Sequence, residues 1–336
     1  MYFIGIDVSA DDFAASILTC VKEPFISEEG FQNKPLGFDA FRSWLTRHGV
    51  TTHNCIICME ATGVYGESLS YWLVAHNYPL VIEHPLKVKK AFLSVGHKTD
   101  EIDSQKIAEY AFRHHDKLKY WTPPDIIVEQ IKVLLKTREQ FVKQRTASSN
   151  ALKALKRKEV QTPLANKLYI QSIARLSKSI ERIEKELQKL IDSNDFFKNT
   201  VSNLDSAPGV AMLLAANFLV MTDGFQNEMS TNAKKVAANL GICPYRYQSG
   251  TSVFKKPKSA KNGPKRMRKL LHLAARSNRV HNSSFSLYAS IKESQGKTNK
   301  IIMNNMCNKL LKVMCAIVRT GQPYVDNYVS KHPRLA

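Results

Sequence analysis

The stretch "NCIICME", residues 54–60, is the tightest constraint on the fold. Five apolar residues, Cys55 to Met59, follow one another without polar alternation, and Glu60 closes the run. A strand of that kind is hidden on both faces, as in parallel sheets lying between layers of helix. "YFIGIDV" (2–8) and "PLVIEHP" (79–85) also read as strands, and 13–20 as an antiparallel partner of the first, across a turn at Ser9–Asp12. "LGFDAFRSWLTRHG" and "YGESLSYWLVAHN" carry a helical period. A mixed, largely parallel α/β sheet flanked by helices is expected, ending at Pro123–Pro124.

From Ile126 to about Ile191 the pattern turns helical, with a break near Pro163. Ile173, Leu176, Ile180, Ile183, Leu187 and Leu190 recur at spacings of three and four, a seam of about three heptads. An antiparallel hairpin within the chain and an intermolecular coiled coil both satisfy that seam. We favour self-association, as a dimer or tetramer. Beyond Asn194 the chain is mainly helical, except for a helix-poor stretch from Cys243 to Pro264. Three regions result: 1–124, 125–195 and 196–336.

The 336 residues carry a net charge of +20, and residues 201–336, with 21 Lys/Arg against 5 Asp/Glu, hold +16 of it. Such asymmetry points to a polyanionic partner, nucleic acid first. A membrane surface fits less well, because the basic residues do not share one long amphipathic helix with a bulky apolar face. No apolar run reaches membrane-spanning length, and the start "MYFIGIDVS" carries no basic leader. A cytoplasmic protein without membrane contact is expected. Cys55 and Cys58 have metal-like spacing, but strand residues three apart point to opposite faces, so buried reduced thiols are expected instead.

Against that positive charge the acids stand out. Asp7 and Glu60 each end an apolar strand, where functional groups of open α/β sheets gather. In "KTDEIDSQKIAEY" Asp100 and Asp103 lie three apart at a helix start. Taken alone, that pair reads as capping, with Asp100 accepting the free N–H groups of the first turn. Strands 2–8 and 54–60 as neighbours would turn Asp7 and Glu60 into one cleft, and the helix would add two more carboxylates. Four converging acids repel unless divalent cations neutralise them. Mg²⁺ suits carboxylate oxygens and substrate phosphate, and a pair of such ions about 3.5–4 Å apart serves phosphoryl transfer.

Six pieces, "IGIDVS", "CMEATGVY", "HKTDEIDSQKIAEY", "SAPGV", "NLGICPYRYQSG" and "RKLLHLAAR", stand in this order along nearly the whole chain. Together they resemble the DEDD transposases of bacterial insertion sequences, relatives of the Piv DNA invertase. The resemblance implies an α/β, RuvC-like (ribonuclease-H-like) catalytic domain over 1–124 and a helical coiled-coil linker over 125–195. It implies a mainly α transposase domain over 196–336. Asp7, Glu60, Asp100 and Asp103 become its acidic tetrad, holding two Mg²⁺ ions per site. Two departures stand out: Ala211 replaces the second glycine usual in the family's Pro-Gly-x-Gly turn, and "SAKNG" (259–263) matches its Ser-Lys-x-Gly element only loosely.

Between Lys255 and Lys269 eight basic residues and no acid occur: Lys255, Lys256, Lys258, Lys261, Lys265, Arg266, Arg268 and Lys269. These are the candidate nucleic-acid contacts. Ser249 lies just upstream in "YRYQSGTSV". By spacing alone Ser249–Gly250 is a turn, and Ser252 and Ser259 are equally eligible. The resemblance implies that Ser249 is the nucleophile, forming a covalent phosphoserine with DNA, so that no nucleotide cofactor is needed. It also implies a bridge RNA that selects donor and target DNA. The residues alone leave open a metal-dependent junction nuclease using activated water, and a catalytically inactive nucleic-acid-binding protein.

Overall fold

The chain reverses twice in its first 32 residues to make a meander. Strand β1 (Tyr2–Val8) pairs antiparallel with β2 (Asp12–Leu18), and β2 with β3 (Ile26–Gln32). The first reversal is locked locally: the Ser9 hydroxyl donates to the Asp12 carboxylate at 2.5 Å. After helix α1 (Pro35–Arg47) the chain returns as β4 (Cys55–Glu60), parallel to β1. Helix α2 (Glu67–Ala75) leads to β5 (Leu80–Glu83), parallel to β4, and α3 (Pro85–Ala91) and α4 (Asp100–Arg113) follow. The sheet order is β3-β2-β1-β4-β5. The computed structural model describes residues 1–20, 23–61, 63–92, 99–226, 230–250, 253–260 and 263–326, without the side chains of Ser249, Val253, Lys255 and Lys256.

Both faces of this sheet are covered, as the run Cys55–Met59 requires. On one side Ile4, Ile6, Ile57 and Met59 meet Phe38, Phe41 and Trp44 of α1 and Leu69 and Leu73 of α2. On the other, Phe3, Cys58 and Val81 lie beneath Ile107, Ala108 and Ala111 of α4. Gly5 is what lets α4 lie so close: a Cβ there would stand 2.1 Å from the Ser104 carbonyl oxygen and 2.2 Å from the Ala108 nitrogen. Ser104 also bonds Ser16 of β2 at 2.6 Å, in the buried layer between helix and sheet. Cys55 and Cys58 face opposite sides, and burial pushes each thiol up to about 12. They are core residues.

Strand β3 departs from the sequence-based expectation, which had no strand at 26–32. Its reason is physical. It is an edge strand with only Phe31 buried, held by backbone pairing to β2, and its exposed Glu28 and Glu29 break any apolar alternation.

The chain divides into two compact units, Met1–Pro123 and Pro124–Ala336. The second opens with two 30-residue helices, α5 (Ile126–Leu155) and α6 (Pro163–Asp192), each about 45 Å long. Asp125 caps α5 by accepting from the Ile127 and Val128 N–H groups. Arg138 bonds Glu184, and seven residues further along α5 Arg145 bonds Ser177, seven residues back along α6. The two helices thus run antiparallel, and α5 covers the heptad seam at its base, where Val128, Ile131, Ile180, Leu187 and Ile191 are buried. Towards the tip Leu164 and Leu168 are exposed.

Helices α7 (Asp195–Asp205), α8 (Met212–Met221), α9 (Ala233–Asn239), α10 (Lys265–His281), α11 (Ser283–Ser294) and α12 (Asn299–Thr320) enclose the rest of the second core. Between α9 and α10 the stretch expected only to be helix-poor forms a two-stranded hairpin, β6 (Pro244–Ser249) and β7 (Val253–Ser259). Against the expectation that no segment could span a bilayer, α12 is long and apolar enough by length and composition. Its Ile302, Met306, Leu310, Leu311 and Met314 are the buried centre of this unit.

Candidate active site

The first unit places its acids through the sheet. Ile6 of β1 stands beside Met59 of β4, so one step further Asp7 and Glu60 end neighbouring parallel strands, about 4.8 Å apart between strands. Side chains alternate faces along a strand. Asp7 therefore shares the face of Gly5, and Glu60 the face of Cys58, which is the face that α4 covers. Rigid, buried strands fix both acids on one side and at one end of the sheet.

Helix α4 begins at that end. Its cap is Thr99, whose hydroxyl accepts from the Ile102 N–H at 3.2 Å, so Asp100 is not the capping residue that its spacing suggested. Asp100 is instead released to the side of β1. Asp7 and Asp100 line one open cleft of about 270 Å³ with Ser9, Asp12 and Glu29. Glu29 further ties β3 to α4 by accepting from the Glu101 N–H at 2.9 Å. Asp103 lies one turn into the helix and pairs with Lys106 at 3.0 Å. Among the described residues no three Asp, Glu, His or Cys side chains stand close enough to hold one ion. Asp7 and Asp100 are brought to one cleft and Glu60 to Asp7's side, while Asp103 is turned to its lysine.

A further strand-end acid was not picked out from the sequence. Glu83 is the register partner of Glu60 and lies on the α4 face like Val81, so Asp7, Glu60 and Glu83 form a row across β1, β4 and β5. It is 8 % exposed, accepts from the His84 N–H at 3.3 Å and pairs with Lys87 at 2.8 Å. That hydrogen bond raises the pKa of the Lys87 ammonium. The signal was available: Glu83 closes an apolar run as Asp7 and Glu60 do.

In the second unit the hairpin sets the position of Ser249. Tyr245 pairs with Lys258, Tyr247 with Lys255 and Ser249 with Val253, which puts Ser249 at the last rung before the turn. Gly250 follows at φ +55°, a left-handed conformation that glycine adopts without a steric penalty. The side chains of Ser249, Lys255 and Lys256, and all of Ser252 and Lys261, lie outside what is described. Tyr245, Tyr247 and Phe254 are exposed along the hairpin, as is Lys258.

The remaining basic candidates divide. Lys265 and Lys269 are exposed on α10. Arg268 donates to the carbonyl oxygens of Leu240, at 3.0 Å, and Gly263, tying α10 to the end of α9. Arg266 is half-buried, and desolvation lowers its pKa. Lys258, Lys265 and Lys269 are thus the described candidates fully presented to solvent.

A family model described as Transposase, of the DEDD IS110 type, matches residues 4–157, which carry all four acids. The model of the Transposase IS116/IS110/IS902 family matches residues 201–290, which carry Ser249 and the basic stretch. Two relatives are the pilin gene-inverting proteins of Moraxella lacunata and Moraxella bovis. They are 27% identical over 329 and 335 residues, covering 96% of this chain and 97% of each relative.

Proposed function

The chain belongs to the IS110-type transposases and is a DNA-recombining enzyme, and from that premise we propose that it cuts and rejoins DNA through a phosphoserine at Ser249. One observation carries the catalytic half: acids from β1 and β4 end side by side on the face over which α4 starts, with Asp7 and Asp100 on one cleft. The strand order β3-β2-β1-β4-β5, with that helix crossing it, supports the RuvC-like reading of the first unit.

The donor set suits a hard cation, being carboxylates only, on one face and at one end of a sheet. Asp7, Glu60, Asp100 and Asp103 would hold Mg²⁺, which when bound offsets charge on the attacking and leaving oxygens. Asp103 must leave Lys106 to join them. In the first step Ser249 Oγ forms a P–O bond, the bond to one deoxyribose oxygen breaks, and that oxygen leaves as a hydroxyl with the proton the serine loses. The hydroxyl of another strand then attacks the phosphoserine, freeing Ser249 and sealing the backbone. Phosphodiester bonds are exchanged without net loss, so no nucleotide is consumed. Lys258, Lys265 and Lys269 offset the phosphate charge.

Donor and target DNA are the substrates, selected by a bridge RNA. The acids and the serine act within an assembly of copies that uses the α5–α6 hairpin. The second unit's charge suits either nucleic acid.

Trapping tests the chemistry. Protein produced with its genomic flanks is incubated with Mg²⁺ and DNA, denatured, digested and mapped. A DNA-linked peptide containing Ser249 is expected, and Ser249→Ala abolishes both adduct and cleavage. Cleavage that survives Ser249→Ala would instead mark a nuclease using water. Sequencing of co-purified RNA tests the guide, and a preparation without any discrete RNA refutes it.

A further inference from the structure

A buried carboxylate at a sheet end needs a reason. An apolar residue at position 83 would continue the core of Val81 without desolvating a charge, and a surface Glu–Lys pair four apart stabilises little. Burial does supply orientation. Glu83 is fixed by its strand and by the His84 N–H, and the lysine it holds is itself 63% exposed on its side chain. Lys87 is therefore anchored at its head yet open to solvent. An ammonium has three N–H donors; with one committed to Glu83, two remain for a ligand. Lys89 and Lys90 are exposed on the same short helix.

The position of this pair is informative. Glu83 stands one strand beyond Glu60 and two beyond Asp7, at the same end and on the same face. A nucleic-acid strand approaching those acids meets repulsion, and Lys87, held by the next acid in the row, sets a fixed positive group beside them.

We propose that Glu83 and Lys87 form a phosphate-positioning pair, in which the buried carboxylate holds the ammonium against a backbone phosphate of the DNA strand adjacent to the one being cut. This rests on the transposase reading above. A free surface lysine gives up much of its rotamer freedom on meeting a phosphate, whereas one already held by Glu83 gives up little, so it locates the strand as well as attracting it. Lys87 is the contact and Glu83 the positioning residue.

The test uses the full-length protein, a fluorescein-labelled DNA duplex and a salt series, with strand transfer measured on the same preparations. Loss of one phosphate contact reduces the slope of log affinity against log salt by about 0.9. Lys87→Gln is expected to do this, Lys87→Arg to restore it, and Lys117→Gln, on an exposed lysine elsewhere in the unit, to leave it unchanged. Glu83→Gln keeps the lysine charge, so the salt slope should stay while the transfer rate falls about tenfold. The double variant should transfer no more slowly than Lys87→Gln. An unchanged slope in Lys87→Gln, effects of the two substitutions that simply multiply, or a change confined to RNA binding overturns the proposal. A wild-type protein that neither binds nor joins DNA sinks the transposase reading and this pair with it. Normal wild-type transfer with a silent Lys87→Gln sinks the pair alone.

Discussion

The two units present their chemistry by opposite means. In the first, acids stand on buried parallel strands, and a helix is pressed so near the sheet that only a glycine fits beneath it. In the second, the serine sits near the tip of a two-stranded hairpin, next to a left-handed glycine whose added Cβ would meet nothing within 4 Å among the described residues. Groups that must hold fixed mutual distances are built on a core. In the proposed mechanism, a nucleophile that must reach a phosphate and then release it is placed on a turn. The glycines Gly5 and Gly250 express that contrast: one is required by packing, the other by backbone conformation.

Four substitutions sharpen or break this contrast. The largest effect is expected from Asp7→Asn, which leaves the strand intact and removes one charge: strand transfer should fall about 10³-fold, the upper range for losing one preorganised electrostatic group. An unchanged melting temperature would separate chemistry from folding. Gly5→Ala comes next. Its Cβ would collide with the α4 backbone, so α4 must move, costing about 1–3 kcal/mol by thermal unfolding. Asp100 moves with the helix, and an ångström of misplacement lowers transfer about 10²-fold.

Gly250→Ala should cost only about 1–2 kcal/mol, the left-handed penalty, because among the described residues nothing lies within 4 Å of its added Cβ. A loss well above about 2 kcal/mol would show that the hairpin tip is packed after all. The smallest effect is expected from Arg138→Ala at the base of the α5–α6 hairpin, about 1 kcal/mol, since Glu184 remains partly exposed and is solvated when its partner goes. Denaturant unfolding measures it, and transfer by the folded protein should be unaffected.

Much of the first unit was legible in the sequence because its strands are apolar runs ending in acids. Asp7 and Glu60 could be placed by that rule alone. The same rule applies to Glu83, but the strand as read, 79–85, runs on through His84 and Pro85, so the acid does not stand at its end. Strand β3 was illegible because an edge strand is held by backbone bonds that leave no apolar rhythm. Capping by Thr99 rather than Asp100 turns on one residue of register, below what spacing resolves. In the second unit the aromatic and basic residues of 244–259 resemble a loop, because the described side chains there are mostly exposed and set up no apolar rhythm. The seam of α6 was visible, but its partner α5 was not, because one seam fits a helix of its own chain as well as a helix of another.

The claim on which the rest stands is that strand ends and helix start make one cation site. Titration of Mn²⁺ into the full-length protein, followed by electron paramagnetic resonance of the free ion, tests it most directly with Glu60→Gln and Asp100→Asn beside the wild type. Saturable binding by the wild type that both substitutions weaken at least about tenfold, one acting from the sheet and the other from the helix, is what the proposed site requires. Binding that survives Asp100→Asn undiminished would mean that α4 contributes no ligand, and the site would have to be redrawn without it.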